Sequence, residues 1–222
     1  MGEIIAMLAA VHFNVNGMSH PLVLLRAGVS AAPLWRLSMV LDILGYYLLV
    51  IPLFLLLRTA TRPQSPKWVD LFTLCLLGYA LIGAMGAAVL ATALPTLITA
   101  YAASNGHGHL ASVAVTFTGY TDGVYRGLWN LLEQLLAGVG WIGYGLVLRS
   151  RHRRLGLSTL ILGTACLVDS LGTALNIDAV ASTGLIVYLV LAPIWAATIG
   201  AELWRNSTVL DWRDLSTTPN IG

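Results

Sequence analysis

The chain has 222 residues, 57% hydrophobic and only 10% charged, with a formal net charge of +2 and a mean hydropathy of +0.79. A water-soluble domain carries about 25% charged residues, so this composition excludes an ordinary soluble globule. The bases sit in loops beside apolar runs, which excludes a nucleic-acid footprint and marks them as topology signals. At roughly 20 apolar residues per crossing, the chain makes an all-α polytopic transmembrane bundle: five spans plus a short N-terminal candidate for a sixth.

Residues 1–33 read as an N-terminal interfacial segment or a truncated first helix. The apolar run 1–13 is short for a crossing and has no basic stretch before it, so a cleaved signal peptide fits poorly. Gly17, Pro21, Gly28 and Pro33 then interrupt any long helix. If residues 1–13 cross, there are six spans and the N-terminus is inside; otherwise there are five and it is outside.

Residues 34–205 form the transmembrane domain. The first span covers residues 34–57 and ends at a loop running from Arg58 to Lys67, with two prolines, Pro63 and Pro66. Trp68 opens the second span, residues 68–96, as an interfacial aromatic. Gly78, Gly83, Gly86 and Ala87 along it suit close helix packing. Residues 100–125 read as a polar connection, with an apolar patch at 110–115 that lies on the surface or re-enters. The third span, 127–148, ends in the basic cluster Arg149–Arg154. A fourth, 155–176, leads through a tight polar turn at Asp178 to a fifth, 181–204, and residues 206–222 form a polar tail.

Counting bases sets the orientation. One set of loops holds Arg58, Arg62, Lys67, Arg149, Arg151, Arg153, Arg154, Arg205 and Arg213; the other holds Arg26, Arg36 and Arg126. By the positive-inside rule the first set, and with it the C-terminal tail, is cytoplasmic. Asn206-Ser207-Thr208 matches a glycosylation sequon, but on the cytoplasmic side it is a chance match. Cys75 and Cys166 both fall inside apolar spans, so a disulfide framework is not expected.

Three spans each carry an acid that hydrocarbon tolerates badly: Asp42, Glu133 and Asp169. A carboxylate at mid-span costs about 2.5–3.5 kcal/mol on insertion scales. Asp42 lies six residues after Arg36, Glu133 seven after Arg126, and Asp169 seven before Asn176. At a rise of about 1.5 Å per residue, each sits roughly 9–10 Å in from the outer end of its helix. Helical spacing gathers Ser38 and Tyr46 about Asp42, Asn130 and Trp141 about Glu133 with Gln134 adjacent, and Cys166 and Thr173 about Asp169. Leu128, Leu132, Leu135, Val139, Ile142 and Leu146 form an apolar stripe on the far side of the third span, suited to lipid.

Two readings follow. Either the acids pair with Arg36 or Arg126 to fix packing, or they form an outward-opening polar pocket for a cation, a proton or a polar ligand. That pocket comprises Asp42, Glu133, Asp169, Asn130, Gln134, Tyr46, Arg36 and Arg126. His107 and His109, two apart in the outer loop, are the remaining metal-ligand candidates, but no span carries a histidine and HExxH is absent. Solvated loop histidines are the plainer reading, and no metal or cofactor is expected. Gly138-Val-Gly140-Trp-Ile-Gly143 matches GxGxxG by letter only: the glycines lie mid-span, with no preceding strand, and suit helix packing.

The pattern Leu34-Trp35-Arg36-Leu37 with Asp42 resembles the opening of a span in the bacterial domain-of-unknown-function 4386 family. GWIGYGLVLRS and the following LGLSTLILGTACLVDS, with an acid at Asp169, are similar to that family's paired later helices, as Ala192-Pro193 with Glu202 is to its last. The similarity covers about residues 34–205. It implies a small bacterial inner-membrane protein of about six helices and brings no activity with it. The expected function is a non-enzymatic membrane protein binding an ion or ligand, alone, as a homo-oligomer or with a membrane-protein partner, and without nucleic acid. A small transporter or channel component is second; an intramembrane hydrolase, with or without a metal, is third.

Overall fold

The computed structural model describes residues 25, 29–103, 110–150 and 152–205. Residues 1–13, His107, His109 and the tail 206–222, for which the sequence carries expectations, lie outside the described residues. Every regular element among the described residues is helical. Five helices are long and apolar enough to cross a membrane.

After a 3₁₀ turn, Val29–Ala31, helix α1 runs over Ala32–Gln64. It is α-helical over Ala32–Asp42 and Leu48–Thr61, with a π-helical stretch Ile43–Tyr47 between them. Its last turn, Arg62–Gln64, tightens to 3₁₀. Proline restricts the residue before it and lacks an N–H, so Pro63 ends α1 and Pro66 starts α2, Pro66–Ala103. Helix α3 joins Leu110–Asp122, a second π-helical stretch Gly123–Glu133, and Gln134–Arg149. Helix α4 is Arg153–Ala174 and α5 is Asp178–Arg205.

Between α4 and α5 the chain turns in a Schellman motif. Asn176 takes the left-handed conformation at φ 57°, Ile177 N–H reaches Gly172 O at 2.8 Å and Asn176 N–H reaches Thr173 O at 3.1 Å. This is the tight turn expected near Asp178.

Residues 110–125 depart from expectation. The stretch read as a polar connection is helical from Leu110 and runs without a break into the third span. Its hydroxyls answer their own helix: Thr121 Oγ1 donates to Phe117 O at 2.7 Å. Phe117, Thr121 and Val124, at helical spacing, form a buried stripe. Likewise α2 continues past residue 96, with Thr99 Oγ1 donating to Pro95 O at 2.8 Å.

Each helix packs on its sequence neighbours, α1 on α2, α2 on α3, α3 on α4 and α4 on α5. Helix α5 also closes back onto the bundle: Trp195 meets Trp141 of α3 edge to face, with ring centroids 4.6 Å apart. Glycines permit the closest approaches. A Cβ on Gly163 would stand 2.7 Å from Ile142 N, and one on Gly143 would fall within the Phe72 ring. The GxGxxG glycines are therefore packing positions. Facing outward are Leu44, Leu49, Leu74, Leu81, Leu146, Ile186, Leu189 and Ile194, all exposed, large apolar side chains spread over every long helix but α4 in this set. Of the apolar stripe expected on α3, Leu132, Leu135, Val139 and Leu146 are exposed, whereas Leu128 is half-buried against the core and Ile142 is half-buried against Gly163 of α4.

Candidate functional site

Helix α1 brings Asp42 to its inner face at the last position before the π-helical stretch, and α3 brings Glu133 to the last position of its own. A π-helical segment inserts a residue into the α register and re-aims the side chains beside it. Asp169 arrives on α4, where Gly184 of α5 lets the two backbones touch: a Cβ there would stand 2.7 Å from Ala165 O. All three acids are buried, Glu133 at 4% and Asp169 at 0% exposure.

Glu133 is the centre of the group. Its carboxyl lies within electrostatic range of both Asp42 and Asp169. The Tyr47 hydroxyl donates to it, 3.2 Å from each oxygen. Tyr47 occupies that place because its ring lies over Gly83 of α2, where any Cβ would collide with it. The carbonyl of Gly83 in turn accepts from Trp129 Nε1 at 3.2 Å.

Beside the acids lies a ring of phenols. The hydroxyls of Tyr46 (α1), Tyr79 (α2) and Tyr188 (α5) hydrogen-bond to one another, Tyr79 and Tyr188 at 2.8 Å. Three helices are thus joined by three groups that each donate and accept. Tyr46 is within electrostatic range of Glu133 and of Cys166, which sets the phenols beside Glu133.

Asp169 Oδ1 accepts from Thr173 at 3.5 Å, while its Oδ2 is buried with no hydrogen-bond partner among the described residues. Gln134 Oε1, Trp141 Nε1, Trp35 Nε1 and Ser38 Oγ are in the same condition. Each such atom carries a desolvation penalty of about 1–3 kcal/mol.

The arginines go elsewhere. Arg126 donates to Asn176 Oδ1 at 2.6 Å and lies 3.2 Å from Asp178, tying α3 to the α4–α5 turn. Arg36 donates from Nε to Ala91 O at 3.3 Å. Glu133 and Asp169 therefore have a tyrosine and a threonine as partners, not the arginines of the packing reading. Of the expected pocket, Asp42, Glu133, Asp169 and Gln134 come to the interior, and Tyr46 on α1 and Asn130 on α3 are half-buried. Tyr47, Tyr79 and Tyr188 were not in the expected set. Their signal in sequence is a hydroxyl inside an apolar span, which must find a partner there.

Among the described residues, no group of three or more His, Cys, Asp or Glu is placed to hold a metal ion. No family model, curated protein or solved structure matches the chain.

Proposed function

We propose that this is a non-enzymatic multi-pass membrane protein whose buried cluster of Asp42, Glu133 and Asp169 takes up a proton from the outer side. The observation that carries the reading is the environment of Glu133: a buried carboxyl whose hydrogen-bond donor is a neutral phenol and which shares its surroundings with two further acids. Like charges held together in a medium of low dielectric repel strongly, so the cluster favours any ligand that brings in positive charge. A proton needs no ordered shell of ligands, only a buried acceptor such as the Glu133 carboxyl.

The membrane reading is supported by five apolar helices, by the exposed apolar side chains and by the basic loops. We propose that those loops are cytoplasmic and, from the sequence resemblance alone, that the protein belongs to the domain-of-unknown-function 4386 family in a bacterial inner membrane. A transporter component is the second reading. Its support is local: π-helical stretches and Pro52, Pro95 and Pro193 disturb the α register of spans that stay continuously helical, whereas transporters build their sites from broken helices.

The test is infrared difference spectroscopy of the reconstituted protein across a pH step. The expected result is a carboxylic-acid band that Glu133→Gln abolishes and Asp70→Asn leaves in place. A spectrum without such a band, or one unchanged by Glu133→Gln, overturns the proposal.

A further inference from the structure

At the end of the bundle where α1 turns into α2, an open cleft of about 480 Å³ is lined by Arg58, Thr59, Arg62, Pro63 and Pro66. That volume is in the range of small-ligand sites, about 300–1,000 Å³. Asp70 of α2 positions both guanidinium groups. Arg58 Nε donates to its Oδ1 at 2.7 Å and Arg62 Nη2 to its Oδ2 at 3.4 Å. Each guanidinium has five N–H donors, and one carboxylate engages only a minority of the ten. The arginine side chains remain 37% and 52% exposed. With exposed Lys67 beside them, three cations face one anion.

The rest of the lining is apolar. Thr59 spends its hydroxyl on Leu55 O at 2.8 Å, which leaves its methyl group to the cleft. Pro63 and Pro66 have no N–H to offer. Next to the cleft, Trp68 is exposed and stacks on Phe72, with centroids 6.1 Å apart. Exposed Leu55, Leu71 and Leu74 continue away from it along α1 and α2. A second basic stretch is close: Ser150 Oγ, beside Arg149, donates to Gln64 Oε1 at 3.3 Å.

Fixed guanidinium forks match phosphate oxygens, and a basic rim above an apolar helix face is how membrane proteins hold anionic headgroups. A free phosphate ion would leave the prolines, the Thr59 methyl and the leucine track unused. We propose that this cleft binds the phosphate of an anionic phospholipid, with the acyl chains running along Leu71 and Leu74. The proposal rests on the membrane reading above but not on the carboxyl cluster.

The experiment uses the full chain, first mixed with phosphatidylcholine vesicles and floated, then titrated in detergent with short-chain fluorescent phosphatidylglycerol or phosphatidylcholine. The expected result is flotation, a clear preference for phosphatidylglycerol, and weak competition by inorganic phosphate. Arg62→Gln should weaken phosphatidylglycerol binding about fivefold, and Arg58→Gln with Arg62→Gln on the order of 30-fold, from the usual contribution of a near-surface base. Glu133→Gln should not change it. Arg62→Gln alone leaves the Arg58–Asp70 pair in place, so it decides the matter if the double variant fails to fold. Equal binding of the two lipids, unaltered binding in Arg62→Gln, or displacement by phosphate as effective as by lipid overturns the headgroup proposal. A chain that does not float overturns the membrane reading itself.

Discussion

Glu133 has Tyr47 as its donor, and Tyr47 has its place because residue 83 is glycine. Two substitutions separate those links. Tyr47→Phe removes the hydroxyl and keeps the ring, leaving a buried carboxyl without its donor; the expected loss is about 1–3 kcal/mol. Gly83→Ala gains about 1 kcal/mol of helix propensity, but its Cβ collides with the Tyr47 ring. Overpacking of that kind costs typically 1–3 kcal/mol, so the net change is a loss or close to zero. Thermal unfolding in detergent measures both, and the pair tests the coupling. If ring displacement breaks the same bond that Tyr47→Phe deletes, the double variant loses less than the sum of the two. Strict additivity would show that Gly83 and Tyr47 act separately. Sequence spacing picked out the acids because a charge in an apolar run is conspicuous. The tyrosines count as apolar in composition, and Tyr46, Tyr79 and Tyr188 meet only through the packing of three helices.

At the level of the helix, periodicity located the apolar runs and missed what lies within and between them. Two π-helical stretches, Ile43–Tyr47 and Gly123–Glu133, adjoin Asp42 and Glu133, and no residue pattern announces a change of register inside a continuous helix. The helical run from Leu110 to Asp122 escaped for a different reason: it falls within the stretch 100–125 that reads as a polar connection, although a hydroxyl such as that of Thr121 bonds back to its own turn. The π-helical stretch in α1 yields a specific expectation. Gly45 is exposed, and a Cβ on it would meet nothing within 4 Å, so its removal deletes no packing. Taking out one residue returns the helix to α register and keeps the faces of Trp35 and Met39, and of Phe54 and Leu57, turned inward. Tyr46 and Tyr47, next to the deletion, are re-aimed. Deletion of Gly45 should therefore leave a helical protein, by far-ultraviolet circular dichroism, whose carboxylic-acid infrared band is shifted from that of the intact chain. An unchanged band would mean that the π-helical stretch does not position the site.

For the whole molecule the decisive quantity is the distribution of charge between the two ends of the bundle. Ser150 touches Gln64, so the α1–α2 and α3–α4 connections share one end. That end gathers Arg58, Arg62, Lys67, Arg149, Arg153 and Arg154, whereas Arg126 bonds Asn176 and Asp178 at the α4–α5 turn. The described loop charges thus fall on opposite ends of one bundle, the separation on which the proposed positive-inside orientation rests. Oriented membrane vesicles test the assignment. With Cys75 and Cys166 both free in the chain, the starting variant is Cys75→Ala with Cys166→Ala. A cysteine introduced by Ser150→Cys should react with a membrane-impermeant maleimide only in inside-out vesicles, and one introduced by Ile177→Cys only in right-side-out vesicles. The carboxyl cluster then faces the exterior half of the bilayer, and the Arg58–Arg62 cleft faces the cytoplasmic leaflet, where anionic lipid is the attraction for basic residues. The reverse pattern of labelling would send the cleft to the outer leaflet and open the acids toward the cytoplasm, reversing the direction from which the proton is proposed to enter.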